Sequence, residues 1–264
     1  AKTVDIANAS FNGVAYNAGN NTATMINTTV TGNLQNNTSN LTIENSNINT
    51  GRVTNNGTMT LIDSTFTATT TNYDYYYYQD VAMANSGTLT LDHSNVLINQ
   101  DAVGKSSYAI SNTGELNVTN NSKVYNGTEN SSYTYRAINT SSNGLTTISD
   151  SEVKVTGGTT NYALYIDGTN AKAILLTGMA KSEEASTGYG VYIDKGTFEM
   201  GHYEGQGVTQ EDVSITNPLV LAEGKSRGIG VKKVNASFNF YDGKIRASKY
   251  AKPETTTNVE YQFE

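Results

Sequence analysis

The feature that most constrains the fold of this chain is a short motif that recurs along the sequence. Four segments place two apolar residues two positions apart, then a polar corner with Ser, then one more apolar residue: NLTIENSNI (40–48), TMTLIDSTF (58–66), TLTLDHSNV (88–96) and ELNVTNNSKV (115–124). Alternation with a period of two predicts a strand that turns one face inward. One unit cannot bury that face alone, whereas a stack of units can.

Tight turns that contain Asn and Gly precede the motifs, at residues 55–57, 85–87 and 112–114. Both residue types tolerate the positive φ that such corners need. One repeat unit is therefore strand, Gly-containing corner, strand, Ser-containing corner, strand. In a parallel stack, equivalent residues become vertical neighbours, so we expect two polar columns. The hydroxyl column would contain Thr28, Ser46, Ser64, Ser94, Ser122 and Ser151, and the amide column Asn55, Asn85 and Asn112, with Asp167 and Asp194 near it.

The spacing of the repeats sets the size of each coil. The closing apolar residues Val30, Ile48 and Phe66 are evenly and closely spaced, whereas the next ones, Val96 and Val124, follow at wider intervals. We predict an all-β fold, a right-handed parallel β-helix (β-solenoid) of about nine to ten coils. It would form a single domain over residues 1–264, with an N-terminal cap at 1–12 and a C-terminal cap or covering strand at 246–264. A sandwich or barrel is the alternative, but it gives no reason to repeat the same corner chemistry.

Composition narrows the function classes. The chain has 264 residues, no cysteine and a formal net charge of −7. The lack of cysteine excludes disulfides and thiolate metal sites, and the acidic balance argues against nucleic acid as a partner. No apolar run approaches the roughly 18 residues that a membrane span needs. We expect no cofactor, no nucleic-acid partner and no membrane insertion, and a monomer as an isolated domain.

Tyrosines are concentrated where the chain passes from the third strand of one coil to the first strand of the next. Tyr108, Tyr135, Tyr162 and Tyr189 follow one another at a constant step, which predicts one vertical column of rings. Four adjacent tyrosines in TNYDYYYYQD (71–80) cannot all point inward, so some should be exposed. The candidate ligand-binding residues are Tyr73, Tyr75, Tyr76, Tyr77, Tyr78, Tyr108, Tyr133, Tyr135, Tyr162 and Tyr189. Such rings either cover an apolar corner or form a contact surface on a rigid scaffold.

Catalytic chemistry has little support in the sequence. Asp167 and Asp194, with Lys195 nearby, could form the carboxylate pair of a carbohydrate-active enzyme, but stacked coils produce such pairs by repetition alone. His93 follows Asp92 and precedes Ser94, yet it occupies the repeat position of Asn27, Asn45 and Asp63, which predicts a corner residue. We expect no catalytic residues and no metal ligands.

The repeated pattern N-x-G-x-L-x-[LIV]-x-x-S-x-[VIF] and the segment ASFNFYDGKIRAS (236–248) resemble the β-helical repeat regions of bacterial surface proteins. The segment is similar to ones in adhesin-like surface proteins of low-GC Gram-positive bacteria. The composition of the chain is similar to that of adhesin-type autotransporter passenger domains. The resemblance implies an extracellular, cell-surface location and adhesion to a host or neighbouring-cell glycan or protein. It carries over no binding or catalytic residue. A carbohydrate-active β-helix enzyme, either a polysaccharide lyase or a glycoside hydrolase, and a purely structural stalk remain the alternatives.

Overall fold

The computed structural model describes residues 3–16, 21–37, 40–50, 52–68, 73–74, 79–98, 107–127, 132–201, 220–232, 234–247 and 254–255. Within these ranges every regular element is a β-strand, and all pairs but one are parallel. The strands stack in register into three faces, and the third face contains ten strands, one from each of ten coils. The predicted parallel β-solenoid of nine to ten coils is confirmed. At a strand spacing of ~4.8 Å the stack is roughly 45 Å long.

The chain visits the three faces in a fixed order. The first face comprises β3 (Val14–Tyr16), β6 (Leu34–Asn36), β9 (Val53–Asn55), β13 (Gln79–Asn85), β16 (Ser107–Asn112), β19 (Thr134–Ser141), the first parts of β22 (Thr160–Leu175) and β24 (Thr187–Met200), β26 (Arg227–Val231) and β29 (Glu254–Thr255). The second face comprises β1 (Thr3–Ala7), β4 (Thr22–Ile26), β7 (Asn40–Glu44), β10 (Thr58–Ile62), β14 (Thr88–Asp92), β17 (Glu115–Thr119), β20 (Leu145–Ile148), the last parts of β22 and β24, and β27 (Ala236–Phe240).

The third face comprises β2 (Ser10–Phe11), β5 (Thr29–Val30), β8 (Asn47–Thr50), β11 (Thr65–Ala68), β15 (Asn95–Ile98), β18 (Lys123–Asn126), β21 (Ser151–Thr156), β23 (Gly178–Glu183), β25 (Val220–Gly224) and β28 (Lys244–Ala247). One further strand, β12 (Tyr73–Asp74), pairs antiparallel with β13. The first coil already includes β1 and β2, which pair with β4 and β5. The solenoid therefore begins inside the segment that we predicted as an N-terminal cap, and β28 extends into the predicted C-terminal one.

The core follows from the alternation in the sequence. Leu61 lies between Ile43 and Leu91, and Leu91 in turn pairs with Val118. These side chains are fully buried. Because each strand buries every second residue, the inward columns of the three faces merge into one continuous apolar interior. The predicted vertical stacking of the repeats is confirmed.

The predicted hydroxyl column is also confirmed at the corner between the second and third faces. Each backbone N–H in the column donates to the hydroxyl of the next coil, as from Ser64 to Ser94 at 3.0 Å and from Ser94 to Ser122 at 3.0 Å. The links of the whole column are Thr28–Ser46, Ser46–Ser64, Ser64–Ser94, Ser94–Ser122 and Ser122–Ser151. The column ends at Ser151, since Gly178 occupies its position in the following coil. A buried corner thereby satisfies its backbone donors without water.

The predicted amide column occupies the corner between the first and second faces. The side-chain amide of Asn55 donates to Asn85 at 2.8 Å, and that of Asn85 donates to Asn112 at 2.8 Å. Asn36 extends the column at the N-terminal end, donating to Asn55 at 2.9 Å. After Asn112 the same position holds Thr140, Ile166 and Ile193. Asp167 and Asp194 therefore lie one residue past the column and do not continue it.

Candidate functional site

The outward positions of the first face form two vertical columns whose chemistry changes along the stack. In the first column, strand register aligns Val81, Tyr108, Arg136, Tyr162, Tyr189 and Arg227. In the second column it aligns Ala84, Ser111, Asn139, Tyr165, Tyr192 and Gly230. We call the aromatic and cationic part of these columns the tyrosine–arginine face: Tyr108, Arg136, Tyr162, Tyr165, Tyr189, Tyr192 and Arg227.

Two outward columns arise on one strand because the alternation changes phase in the middle of each strand. In β22, Ala163 and Leu164 are adjacent and both are buried. Tyr162 and Tyr165 on either side of them then both point outward, although they are an odd number of positions apart. Strict alternation would have placed these two tyrosines on opposite sides of the sheet. The phase change therefore doubles the number of rings on the outer surface.

The rings of four tyrosines pack against one another across and along the coils. Tyr162 stacks on Tyr189 with centroids 5.2 Å apart and planes at 17°, and Tyr165 stacks on Tyr192 at 5.5 Å and 18°. Across each coil, the edge contacts Tyr162–Tyr165 and Tyr189–Tyr192 both have centroids 5.0 Å apart. Such offset-stacked and edge-to-face pairs are favourable geometries for aromatic rings. The four rings thus hold one another in a fixed arrangement.

The two arginines lie at either end of these rings. The Arg136 guanidinium is centred 3.5 Å from the Tyr165 ring centroid and 4.7 Å from that of Tyr108. It donates to the Asn139 side-chain oxygen at 3.0 Å and to the Tyr108 hydroxyl. At the other end, Arg227 donates to the Tyr189 hydroxyl at 2.5 Å and lies 5.3 Å from its ring. Cation–π contacts of this kind hold a guanidinium in place while its charge stays on the surface.

Gly230 gives the last pair of rings the space that they occupy. A Cβ atom at this position would lie 2.7 Å from ring atoms of both Tyr189 and Tyr192. Any larger residue must therefore displace at least one ring. The absence of a side chain at Gly230 is thus part of what positions the aromatic surface.

The half-buried tyrosines of this face keep their hydroxyl protons at neutral pH. Burial raises the pKa of Tyr162 to about 12, although the nearby Arg136 acts in the opposite direction. Burial also raises the pKa of Tyr165, again against the effect of Arg136. The acids next to the rings are paired, Asp194 with Lys232 at 2.6 Å and Asp167 with Lys195 at 3.6 Å. The surface therefore presents neutral hydroxyls and guanidinium groups.

The structure places the predicted tyrosines in different environments. Tyr108, Tyr162 and Tyr189 share the first column as expected. The placement of Tyr135 in that column is wrong: the ring is 1% exposed and belongs to the core, and Arg136 takes its position. The coil from Ile110 to Ile138 is two residues longer than the next one, from Ile138 to Leu164, so a constant step misplaces Tyr135 by one position.

Three other predictions lie at or beyond the edge of what the structure describes. Tyr133 is 39% exposed, but it precedes the strand β19 and is not part of the two columns. For Tyr73 the structure gives the backbone alone, which pairs with Asp80 across β12 and β13. The run Tyr75–Tyr78 lies outside the described residues.

The residues predicted from the sequence did not include Arg136, Tyr165, Tyr192 and Arg227. A signal for two of them was present, because TNYALYI (160–166) and TGYGVYI (187–193) repeat a Tyr-x-x-Tyr pattern at the same step as the first tyrosines of each segment. Strict alternation conceals it, since it assigns the second tyrosine to the inner side. The two arginines have no such repeat and become evident only from the register.

Each candidate catalytic group takes part in an ion pair or a hydrogen bond of the solenoid itself. Asp167 and Asp194 form the ion pairs given above. His93 has φ +48° at the same corner position as Asp63, whose carboxylate oxygen lies 2.5 Å from its Nδ1, and the Ser94 hydroxyl belongs to the hydroxyl column. A Ser-His-Asp relay requires a hydroxyl that is bonded to the histidine, which this arrangement does not provide. The predicted corner role of His93 is confirmed.

A cleft of 420 Å³ on the third face is lined by Ser182, Glu183, Glu184, Glu223, Gly224, Lys225, Arg246 and Ala247. Burial disfavours the charged form of Glu183, but hydrogen bonds from Lys154 and Lys181 outweigh it and lower the pKa of this carboxyl. A general acid of a glycosidase needs a raised pKa. Glu183 therefore has the electrostatics of a structural ion pair.

No protein-family model, curated protein sequence or solved structure matches the chain. In the described ranges there is no helix of the length and apolar character that crossing a membrane requires. The same ranges contain no group of three or more His, Asp or Glu residues that could hold a metal ion. The functional argument therefore rests on the outer surface of the solenoid.

Proposed function

We propose that the chain is a non-enzymatic, extracellular adhesin domain of a bacterial surface protein. It binds a glycan or a protein of a host or neighbouring cell through the tyrosine–arginine face. The observation that carries this proposal is the packed set of four tyrosines and two arginines that stands on the outer side of a rigid parallel stack. The cell-surface location rests on the resemblance of the repeats and of ASFNFYDGKIRAS (236–248) to bacterial surface proteins.

Two physical features support a contact role. Tyr and Arg are enriched in binding surfaces, because each offers a large apolar area together with a polar group. The mutual packing of Tyr162, Tyr165, Tyr189 and Tyr192 means that little side-chain freedom remains to be lost on binding. Tyr73, Tyr75–Tyr78 and Tyr133 are included in the proposal on the evidence of the sequence alone.

The test is binding of the purified chain to a panel of glycans and host surface proteins. The double variant Tyr165→Ala/Tyr192→Ala removes one column of rings and should weaken binding by about tenfold or more. The matched control is Tyr125→Ala, which removes a half-buried outward tyrosine from the third face. Retained binding by the double variant, or equal loss in the control, contradicts the proposed surface.

Gly230→Ala sharpens the test without removing any ring. The added methyl group displaces Tyr189 or Tyr192, so binding should fall while the circular dichroism spectrum stays that of the parent chain. Incubation with the bound glycans should release no reducing ends or unsaturated products. Release of such products would instead favour the alternative that the chain is a carbohydrate-active enzyme. If the chain binds no member of the panel, the alternative of a purely structural stalk is favoured.

A further inference from the structure

Arg136 is a cation of the tyrosine–arginine face that no acid of the described residues neutralises. The Arg136 guanidinium makes its hydrogen bonds to the Tyr108 hydroxyl and the Asn139 amide oxygen, both uncharged acceptors. Within the described part of the chain, no carboxylate forms an ion pair with it. Its Nε atom is buried and has no hydrogen-bond partner there. The positive charge is therefore held on an aromatic surface, and none of the described carboxylates serves as its counter-charge.

The described charged groups around Arg136 do not cancel its charge. The lysines that border the face are engaged with acids, as in the pairs of Lys195 with Asp167 and Lys232 with Asp194. Because each of these pairs is neutral as a unit, Arg136 adds positive charge to this part of a chain whose net charge is −7. Local positive charge on an acidic protein favours a ligand that itself carries a negative group.

The rings determine what else the ligand must present. Tyr162 and Tyr189 in one column, and Tyr165 and Tyr192 in the other, repeat at the spacing of the strands, ~4.8 Å. The ring faces contact one another along the columns, and Arg136 lies over Tyr165, so a ligand meets ring edges and hydroxyls. The hydroxyl groups of a sugar can form hydrogen bonds with these tyrosine hydroxyls. A chain of sugars can therefore lie along the two columns. A guanidinium binds a carboxylate through two parallel N–H groups, which fixes its orientation.

We propose that the tyrosine–arginine face binds an acidic oligosaccharide, with a uronate- or sialate-type carboxylate at Arg136 and neighbouring sugar rings on the tyrosines. This inference rests on the proposed function and specifies its ligand class. Arg136 would contribute the choice of an acidic ligand, and the rings would contribute affinity for any sugar chain. The two contributions can be separated by experiment.

The experiment compares each acidic oligosaccharide with the same molecule after reduction of its carboxyl group to an alcohol. Suitable probes are a galacturonic acid oligomer and a sialylated oligosaccharide, measured by titration calorimetry on the full chain. The parent chain should bind the acidic form about tenfold or more tightly than the reduced form. The preference should shrink as NaCl rises from about 0.05 M to about 0.5 M.

Arg136→Gln should bring the ratio of the affinities for the acidic and the reduced form close to one. The ratio is the readout because Arg136 also packs on the Tyr165 and Tyr108 rings, so its loss affects both probes. Arg136→Lys should keep part of the preference, because it retains the charge but loses the paired N–H groups. The matched control is Arg246→Gln on the third face, where the arginine lies 3.8 Å from Glu223. This variant should behave as the parent chain.

Three results overturn the inference. Equal affinity of the parent chain for acidic and reduced probes removes the role of the carboxylate, and this measurement needs no variant to fold. The inference also fails if the parent chain binds neither acidic probe at millimolar concentration. It fails as well if folded Arg136→Gln keeps the parent chain's preference for the acidic form. In each case the proposed function still stands if Tyr165→Ala/Tyr192→Ala weakens binding to another glycan or to a protein, so the two failures can be told apart.

Discussion

The early coils (described residues up to 127) and the late coils (132–247) share one backbone path but use polar residues differently. The early coils place amides and hydroxyls inside their corners, in the two columns that run from Asn36 to Asn112 and from Thr28 to Ser122, the last of which is bonded to Ser151 in the first late coil. The late coils have Thr140, Ile166 and Gly178 at those positions. They keep buried polar pairs such as Asn161 with Ser182, and they add ion pairs outside, such as Lys154–Glu183 at 2.7 Å, and most of the tyrosine–arginine face.

The difference teaches that a parallel stack can place its specific interactions on either side of the backbone. Inside, hydrogen bonds between coils satisfy the polar groups of the corner, so these groups are not available to a ligand. Outside, charges and the half-buried rings of Tyr162, Tyr165 and Tyr192 are available for contact, whereas Tyr108 and Tyr189 are only 8% exposed and support them. The corner is then closed by apolar or small residues. Four experiments, in order of decreasing expected change in stability, test this contrast between early and late coils.

Gly178→Ser asks whether the hydroxyl column can be continued into the late coils. Gly178 has φ +97°, and a Cβ there would lie 2.2 Å from the carbonyl oxygen of Ser151. The backbone must move, so we expect a loss of more than about 3 kcal/mol in the free energy of unfolding from urea titration. The matched control is Thr177→Ser, which keeps the hydroxyl that accepts a bond from Asp150 N–H. Parent-like stability of Gly178→Ser would mean that the column ends there for another reason.

Asn85→Leu breaks the amide column in the middle of the early coils. Asn85 accepts from Asn55 and donates to Asn112 and to the Glu115 carbonyl, each at 2.8 Å. Leucine leaves these buried groups without a partner, and the expected loss is about 3 kcal/mol, again from urea titration. Asn56→Ala, at an exposed position of the same corner, should change stability by less than about 0.5 kcal/mol. Similar values for both variants would contradict the structural role of the column.

Alkaline pH should act on the late coils through their buried hydroxyls. The pKa of Tyr162 is raised from 10.0 to about 12, so the folded chain retains this proton where the unfolded chain has lost it. Stability should be constant up to about pH 10 and fall between about pH 10 and 12. Partial exposure keeps the slope below about 1.4 kcal/mol per pH unit for each tyrosine.

The measurement is the urea midpoint as a function of pH. Tyr162→Phe/Tyr165→Phe should reduce the alkaline loss, because neither ring can then ionise in either state. The control Tyr133→Phe alters an exposed ring outside the two columns and should leave the pH profile in place. A profile that is identical in the double variant would assign the alkaline loss to other groups.

Lys181→Gln tests the external ion pairs and should have the smallest effect. Lys181 lies 2.6 Å from Glu183 and 3.8 Å from Glu223, and its side chain is partly exposed. Solvent screens such pairs, so the expected loss is about 0.5 kcal/mol at low salt and close to zero in about 1 M NaCl. Thr60→Ala on the second face serves as a control that involves no charge. A loss as large as that of Asn85→Leu would mean that the outer charges hold the late coils together.

The solenoid could be predicted from the sequence because a parallel stack repeats the same residue types at its corners. The apolar pairs Leu61, Leu91 and Val118 and the serines before each third strand could be placed without coordinates, and the register agrees. Periodicity identifies positions that every coil must fill in the same way.

The site was predicted less well because it depends on where coils differ. A coil that is two residues longer than the one after it is enough to send Tyr135 into the core and Arg136 to the surface. The adjacent buried residues Ala163 and Leu164 place Tyr165 beside Tyr162 against the usual alternation. Residue type alone predicts neither the longer coil nor the phase change, because both depend on how a whole strand pairs with the strands above and below it.

The passage from the third face to the first absorbs large changes in chain length. It runs from Val30 to Leu34 in one early coil and from Phe66 to Met83, more than four times as far along the sequence, two coils later. The stacked positions on either side nevertheless keep their register. Lengthening a connection costs only a slowly growing closure entropy. Lineages carrying this scaffold can thus vary the border of the outer first-face columns by insertion and deletion, and an engineer could graft foreign peptides there without redesigning the interior.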